Sequence, residues 1–312
     1  MAQETTNRCY FCGQENLELA FAGGYHKRKK DHGPFDLYQC CNCGSAVTYP
    51  LPSPAVLASY YATVTTHGLS HAARDVFTAD PEAGWHEACA RRLIALAAEK
   101  RVESITWIDV GAGGGEVASR LAAQFPASRG IAVDIHDRPA SLHASVEWRR
   151  IDIGDENWAS RMGMADLVFA VGVWEHVRRP DLFARAMISL LNAGGSIYMM
   201  TPNFGSIARR LLGAKWPYYA PGEHICMPSL QGARHCLARE FAAVHDATGT
   251  PRISARPIML PYSPQLLAVR FGMPQLGRAL PQRPRIRLPP GAMECVLEWP
   301  ETKRAGFGVA GS

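Results

Sequence analysis

Five cysteines lie close together near the amino terminus, and their spacing is that of a metal site. Cys9 and Cys12 form one Cys-x-x-Cys pair, and Cys40 and Cys43 form a second. Two such pairs let four thiolates surround one ion tetrahedrally, and Zn²⁺ is the usual occupant. A complete thiolate shell leaves no open position for water or substrate, so we expect a structural zinc. Cys41 is the spare thiol and would replace Cys40 if the second pair were shifted by one residue.

A second group of chemically capable residues follows two apolar runs. The first run, 105–110, contains Asp109 near its end, and the second, 131–134, ends at Asp134. The turn after the first run is rich in glycine, at Gly111, Gly113 and Gly115. Such a turn lets a ligand approach the backbone, and an acid at the end of the next strand can bind two ribose hydroxyls. The pattern predicts an adenosine-containing cofactor.

Two histidine positions are candidates for proton transfer. His176 directly follows a third apolar run, and Glu223 with His224 lies downstream of a fourth. An imidazole titrates near pH 6.5, so either ring can accept a proton at neutral pH. Adjacent residues on a strand point to opposite faces, so Glu223 and His224 would not both reach one substrate. Capping of the next helix or packing in the core is the alternative role for His176.

The elements that must position these residues alternate between strand and helix. From residue 105 onward, apolar runs of strand length are followed by turns and then by apolar residues at helical spacing. This alternation predicts an α/β fold with a parallel sheet. Open sheets of this kind bind ligands at the carboxyl ends of their strands, where the candidate residues lie. Two helices are expected before the sheet, around 56–61 and 85–96, with Cys89 on a buried face.

The order of these motifs resembles the class I S-adenosylmethionine-dependent methyltransferases. Asp109-x-Gly-x-Gly-x-Gly resembles their first motif, although 113–118 alone also fits the dinucleotide fingerprint of a dehydrogenase. The stretch 165–177 resembles their fourth-strand motif, with Trp174 where Leu is usual before Glu-His. The stretch 191–203 resembles their Gly-Gly turn, fifth strand and Thr-Pro-Asn ending. The likeness is greatest to ubiquinone-pathway O-methyltransferases and nucleotide-sugar C-methyltransferases, some of which carry an amino-terminal zinc ribbon.

This resemblance implies a Rossmann-like seven-stranded sheet with an antiparallel last strand, and S-adenosylmethionine as cofactor. The residues that would bind the cofactor are Asp109, Gly111, Gly113, Gly115, Asp134, Asp152, Ile153 and Val171. Asp152 stands where the family places an acid near the adenine amino group. His176 and the Glu223–His224 pair stand where sugar C-methyltransferases carry similar residues. Tyr60 and Tyr61 would either close over the cofactor or pack within a helix.

The sequence divides into four expected parts. They are a zinc-ribbon module at 1–50, a linker and helical segment at 51–100, a cofactor-binding core at 101–251, and an insert with a final edge strand at 252–312. We expect a sixth strand at 241–245 and a final antiparallel edge strand at 291–299. The Pro- and Arg-rich insert 252–290 is long enough to serve as a substrate lid or as a contact between subunits of a homodimer.

Composition limits the choice of partners. The chain has 312 residues, of which 47% are hydrophobic, and a net charge of +5 from 33 basic and 28 acidic residues. It has no signal-peptide run and no stretch of about 18 apolar residues, so we expect a cytoplasmic protein with no membrane partner. The basic run at 26–32 is either a solvated hairpin tip or a phosphate-binding patch for RNA. It lacks interleaved aromatic residues, which weakens the RNA interpretation.

The sequence thus predicts a methyltransferase that acts on a small-molecule acceptor. Methyl transfer to oxygen, assisted by a histidine that removes the proton, is the leading hypothesis. Methylation of carbon in a sugar or nucleotide sugar, and modification of RNA through the basic hairpin, are the alternatives.

Overall fold

The structure is a computed structural model that describes residues 8–25, 33–61, 85–100, 104–245, 249–270 and 273–300. The basic run at 26–32 lies outside the described residues, so the hairpin hypothesis is not carried further. Across the described ranges, no helix is both long enough and apolar enough to cross a membrane.

Thirteen strands occur in the described residues. In chain order they are β1 (Leu17–Gly24), β2 (Phe35–Cys40), β3 (Ala46–Tyr49), β4 (Thr106–Val110), β5 (Arg129–Asp134), β6 (Glu147–Arg150), β7 (Ala165–Val171), β8 (Leu191–Pro202), β9 (Cys226–Met227), β10 (Arg252–Pro257), β11 (Leu260–Tyr262), β12 (Ile286–Leu288) and β13 (Ala292–Glu298).

Eight α-helices accompany these strands in the same part of the chain. They are α1 (Pro54–Tyr61), α2 (Trp85–Glu99), α3 (Glu116–Gln124), α4 (Pro180–Ser189), α5 (Ile207–Leu212), α6 (Leu230–Val244), α7 (Pro264–Arg270) and α8 (Pro274–Ala279). The two helices expected before the sheet are confirmed as α1 and α2, and Cys89 is buried on α2 as expected.

A seven-stranded sheet forms the centre of the molecule, in the order β10-β13-β8-β7-β4-β5-β6. Strands β4 to β8 are parallel, whereas β13 runs antiparallel to both β8 and β10. Five of the seven residues of β7 are fully buried, because helices cover both faces of a parallel sheet. The predicted α/β fold, a Rossmann-like seven-stranded sheet with an antiparallel last strand, is confirmed.

Two predictions about the end of this sheet are wrong. Residues 241–245 are not a strand, because Ala233, Leu237 and Phe241 bury one continuous face of helix α6 at helical spacing. The sixth strand is instead β10, so the sheet extends beyond the predicted core boundary at residue 251 and into the predicted insert. The final strand β13 is not at the edge, since it pairs on both sides and six of its seven residues are buried.

The amino-terminal module is joined to the sheet domain by a shared second sheet. Strands β1, β2 and β3 form an antiparallel ribbon, and β3 pairs with β9 from the main domain. The pairing places Ala46 opposite Met227 and Val47 opposite Cys226. Ribbon residues and main-domain residues also share one hydrophobic cluster, which contains both Phe11 and Trp174. The ribbon therefore packs against the domain that carries the candidate site.

The part of the insert that follows β10 forms a small layer of its own. Strands β11 and β12 pair antiparallel, and helices α7 and α8 lie between them in sequence. Because β10 ends and β13 begins at the carboxyl edge of the parallel strands, this layer arises at the edge where the candidate residues lie.

Candidate functional site

The glycine-rich turn after β4 has a backbone shape that only glycine fits at two of its positions. Gly115 has φ +72°, and a Cβ there would lie 2.5 Å from Leu142. At Gly111 a Cβ would lie 2.6 Å from a methyl group of Val173, in the segment that follows β7. The backbone N–H groups of Gly111 and Ala112 donate hydrogen bonds to the carbonyl of Val133. The turn therefore packs directly against the ends of both neighbouring strands.

Asp134, at the end of β5, is bonded to the same turn. Its carboxylate accepts hydrogen bonds from the N–H of Gly113 at 2.9 Å and from the N–H of His136 at 3.0 Å. A carboxylate has about four lone-pair positions, so these two bonds leave acceptor capacity for hydroxyl donors. The structure thus places Asp134 where it can hold both the turn and a ligand beside it.

Asp109 lies deeper than the other acids of this edge, near the end of β4. Burial, together with the nearby charges of Asp134 and Glu116, raises the pKa of the Asp109 carboxyl well above its ordinary value. A positive charge placed beside this acid would offset the cost of ionising it.

The other predicted cofactor residues lie along the same edge. Asp152 and Ile153 follow β6, and Val171 is the last residue of β7. Asp152 is exposed, and its carboxylate accepts a hydrogen bond of 2.8 Å from the N–H of Gly154. Together with the glycine turn, these residues line the ends of four adjacent parallel strands.

The structure brings His176 and His224 together. His176 ends a short 3₁₀ turn after β7, and His224 lies in a turn before β9. The two imidazole rings are 4.8 Å apart between centroids. The Nδ1 atom of His176 is 3.0 Å from the carbonyl oxygen of Glu223, and that of His224 is 2.7 Å from the carbonyl oxygen of Tyr218. These contacts make each Nδ1 a donor and leave each Nε2 as the acceptor nitrogen.

Glu175 completes the cluster, and sequence reasoning did not single it out. It is buried, and its carboxylate accepts a hydrogen bond of 2.9 Å from the hydroxyl of Thr201. A carboxylate oxygen of Glu175 and a ring nitrogen from each of His176 and His224 all lie within 4.8 Å of one another. The sequence feature that could have identified Glu175 is the Glu-His pair at the end of the strand, since a carboxylate beside a histidine can stabilise its protonated form.

The electrostatics of the pair favour a neutral His224. Burial lowers the pKa of the His224 imidazole below its ordinary value, and the neighbouring His176 lowers it further. Glu175 and Glu223 act in the opposite direction. His224 is therefore unprotonated at neutral pH and able to accept a proton.

Glu223 occupies a position that differs from expectation, and the two tyrosines differ from each other. Glu223 contacts His176 through its backbone carbonyl, and the segment around Glu223 and His224 is a turn, so the alternation of a strand does not apply there. Of the two tyrosines, Tyr60 is buried, whereas the ring of Tyr61 lies 6.1 Å from that of His176. Burial and the acids Glu223, Glu175 and Asp152 raise the pKa of Tyr61, so its hydroxyl stays protonated.

The four cysteines of the two Cys-x-x-Cys pairs converge in the ribbon. Their sulfurs all lie within 4.8 Å of one another, with 3.6 Å between Cys9 and Cys43 and between Cys12 and Cys40. Tetrahedral zinc with bonds of about 2.3 Å needs sulfurs roughly 3.8 Å apart, so the donor set fits the ion. Cys41 is exposed and is not part of this group, which favours the unshifted second pair.

Comparison with known proteins identifies the family to which the chain belongs. The model of a family described as a methyltransferase domain matches residues 83–241. The chain is 30% identical over 139 residues to a ubiquinone biosynthesis O-methyltransferase of Caulobacter vibrioides, covering 41% of this chain and 54% of that protein. It is also 30% identical over 144 residues to the Escherichia coli enzyme of the same name, covering 45% and 53%. The chain spans about half the length of these relatives.

A solved structure shows the same fold. The plantazolicin methyltransferase BpumL, in complex with a pentazolic desmethylPZN analog and SAH, has a TM-score of 0.50 and 14% sequence identity. The match covers 79% of this chain and 95% of that one. The class that this fold defines is the Rossmann-like α/β proteins with a seven-stranded sheet and an antiparallel last strand. The chain belongs to the methyltransferase-domain family, whose model covers it from the start of α2 into α6 and includes the five parallel strands of the sheet.

Proposed function

We propose that this protein transfers a methyl group from S-adenosylmethionine to the hydroxyl oxygen of a small molecule, with the His176–His224 pair taking up the hydroxyl proton. The observation that carries the proposal is the meeting of the two imidazoles at the edge that holds the glycine turn. Val173 links the two features, because it packs on Gly111 and lies three residues before His176. The names of the curated relatives, which are O-methyltransferases, support oxygen as the acceptor atom.

The cofactor would be held by the residues along the strand ends. Asp134 would bind the two ribose hydroxyls, Asp152 would lie near the adenine, and the backbone of the glycine turn would contact the methionine end. The buried Asp109 would favour the positively charged amino group at that end. Ile153 and Val171 would pack against the adenosine. S-adenosylmethionine supplies a methyl group on a sulfonium, so the protein mainly has to orient the acceptor and remove its proton.

The proton would pass from the acceptor hydroxyl to Nε2 of one imidazole as the acceptor oxygen bonds to the methyl carbon. The bond between that carbon and sulfur would break with its electron pair left on sulfur, so that neutral S-adenosylhomocysteine leaves. Nδ1 of each ring faces a backbone carbonyl, which fixes the tautomer needed for this step. The charge that forms on the ring would be stabilised by the buried carboxylate of Glu175. Because the two rings are adjacent, uptake of one proton disfavours a second.

The test compares acceptors and a histidine variant. Formation of S-adenosylhomocysteine is measured with a catechol, an aliphatic alcohol and an amine of similar size, using wild type and His224→Gln. We expect turnover of a hydroxyl acceptor and a loss of about 100-fold in kcat in the variant, with S-adenosylhomocysteine affinity retained. Turnover of the amine alone, or full activity of His224→Gln, would contradict the proposal. Activity that depends on an added divalent cation would assign the cluster to a metal instead.

The four cysteines Cys9, Cys12, Cys40 and Cys43 would hold a structural zinc ion. Four thiolates complete its coordination, so the ion would not contact the acceptor or the cofactor. The ribbon has few buried residues of its own beyond those it shares with the main domain. Metal binding would therefore contribute much of the energy that orders this segment.

A further inference from the structure

We infer that the zinc ribbon positions the two histidines of the acceptor site, so that the metal supports acceptor deprotonation from a distance. The inference rests on the proposed function, because it takes the His176–His224 pair as the proton acceptor. Three separate sets of contacts connect the metal-binding turns to the backbone on either side of the two histidines.

The first connection is the strand pair β3–β9. Beyond its last paired residues, the N–H of Thr48 in β3 donates a hydrogen bond of 2.8 Å to the carbonyl of Ile225, the residue after His224. The N–H of Ile225 in turn donates a bond of 2.8 Å to the carbonyl of Glu175, the residue before His176. Two successive backbone bonds therefore run from the ribbon to the neighbours of both histidines.

The second connection comes from the turn between the first two cysteines. Phe11, between Cys9 and Cys12, is fully buried, and its ring lies 5.5 Å from that of Trp174 in an edge-to-face contact. Trp174 begins the 3₁₀ turn that ends at His176. The carbonyls of Tyr10 and Phe11 also accept hydrogen bonds from Arg239 on α6. Ordering of this turn by the metal would thus fix the side chain on which the His176 turn rests.

The third connection comes from the second pair of cysteines. Ser229, the N-cap residue of α6, donates its hydroxyl to the carbonyl of Cys43 and its N–H to the hydroxyl oxygen of Ser45. Gly232 on the same helix approaches so closely that a Cβ would lie 1.9 Å from Ser45 Oγ and 3.2 Å from Cys43 Sγ. The start of α6, which continues the chain from His224 through β9, is therefore seated on a zinc-binding turn.

Apart from the packing of Gly111 on Val173, which precedes the His176 turn, the contacts of the cofactor turn go elsewhere. Its backbone bonds reach Val133 and Asp134, and its glycines pack on Val173 and Leu142. A change confined to the contact between ribbon and α6 should therefore move the histidines and leave the cofactor site in place. Displacement of a catalytic group by about 1 Å can cost on the order of 100-fold in rate, so the effect on turnover should be large.

Gly232→Ala tests this positioning role without altering a zinc ligand. The added methyl group would lie 1.9 Å from Ser45 Oγ and 3.2 Å from both Ser45 Cβ and Cys43 Sγ, so the contact between the ribbon and α6 must rearrange. Gly163→Ala is the matched control, because a Cβ there meets nothing within 4 Å. We measure zinc content, S-adenosylhomocysteine affinity by calorimetry, turnover of a hydroxyl acceptor, and the imidazole ¹⁵N resonances of His176 and His224, assigned with His→Gln variants.

For Gly232→Ala we expect one zinc per chain, S-adenosylhomocysteine affinity within about twofold of wild type, displaced resonances of both histidines, and at least about a 10-fold loss of kcat. Gly163→Ala should match wild type in all four measurements. Unchanged histidine resonances in a folded Gly232→Ala protein would overturn the inference, as would equal losses of cofactor affinity and turnover. If Gly232→Ala does not fold, Phe11→Leu, which keeps all four thiols and removes the ring contact with Trp174, is measured in the same way.

Failure of the proposed function has a different signature. In that case His224→Gln keeps full turnover, and the resonances in Gly232→Ala still report whether the ribbon holds the two rings. The resonances require no acceptor, so positioning and chemistry are judged separately.

Discussion

The carboxylate of Asp134 accepts a 2.9 Å hydrogen bond from the N–H of Gly113, which ties the end of β5 to the turn that follows β4. This bond sets the shape of the turn before any ligand arrives. A cofactor that uses the remaining acceptor positions of Asp134 therefore meets a preformed site, and its binding energy need not be spent on ordering the turn.

Removal of the Asp134 carboxylate should weaken cofactor binding. In Asp134→Ala the turn loses its bond to Gly113, and the ligand loses a charged acceptor for its hydroxyls. Hydrogen bonds to charged groups contribute about 1.5–3 kcal/mol each, so we expect at least about a 10-fold loss of S-adenosylhomocysteine affinity by calorimetry. Asp137→Ala is the control, since Asp137 is exposed and pairs with Arg150 at the surface. Equal affinities for wild type and Asp134→Ala would refute the assignment.

The two kinds of cysteine in the ribbon should respond differently to substitution. Cys12→Ser removes one of four converging sulfurs, whereas Cys41→Ser alters an exposed thiol outside the group. We expect Cys12→Ser to lose bound zinc, measured by elemental analysis, and to lower Tm by roughly 5 °C, the shift that a loss of about 3 kcal/mol produces in a protein of this size. Cys41→Ser should keep its bound zinc and have the Tm of wild type. Loss of zinc from Cys41→Ser with retention in Cys40→Ser would instead indicate the shifted pair.

Patterns that are local in sequence predicted most of the fold. Apolar runs predicted four of the five parallel strands, β4, β5, β7 and β8, because each of these strands carries its own burial pattern. The end of the sheet was predicted less well. Phe241 is compatible with either a buried strand or the buried face of a helix. The helical spacing that distinguishes the two begins at Ala233, eight residues earlier. The alternating pattern at 291–299 predicted a strand, yet the pairing partners that place β13 inside the sheet are not encoded in one strand.

The part of the site that directly follows predicted strands could be predicted from local sequence patterns. Asp134 and the glycines follow strands directly, so their position at the sheet edge follows from the sequence. The contact between His176 and His224 depends instead on the turn before β9, whose course is set by pairing with β3 in a distant part of the chain. Neither that pairing nor the packing of Phe11 on Trp174 has a local sequence signal.

Two glycines of the cofactor turn should differ in their tolerance of alanine. Both Gly113 and Gly115 have positive φ, but a Cβ at Gly113 meets nothing within 4 Å, whereas one at Gly115 lies 2.5 Å from Leu142. The left-handed conformation alone costs an L-residue about 1–2 kcal/mol. We therefore expect denaturant unfolding to show a loss of about 1 kcal/mol for Gly113→Ala and a clearly larger loss for Gly115→Ala. The reverse order would mean that the turn differs from the one described.

The rate of methyl transfer should depend on pH through His224. Its pKa is lowered, first by burial and then by His176, so the ring remains neutral, and able to accept a proton, at pH values somewhat below 6.5. We expect kcat/KM for a hydroxyl acceptor to be level around neutral pH and to fall on acidification, with the midpoint below pH 6.5 because the folded-state pKa lies below the ordinary one.

His224→Gln tests the origin of this acid limb. The variant should be slower at every pH and should lose the limb, since glutamine does not titrate. The affinity for S-adenosylhomocysteine, measured across the same pH range, separates loss of the base from loss of the cofactor. A limb that persists unchanged in His224→Gln and disappears in His176→Gln would transfer the role of proton acceptor to His176. In that case the proton would be taken up at the Nε2 atom of His176, which lies 4.0 Å from a carboxylate oxygen of Glu175.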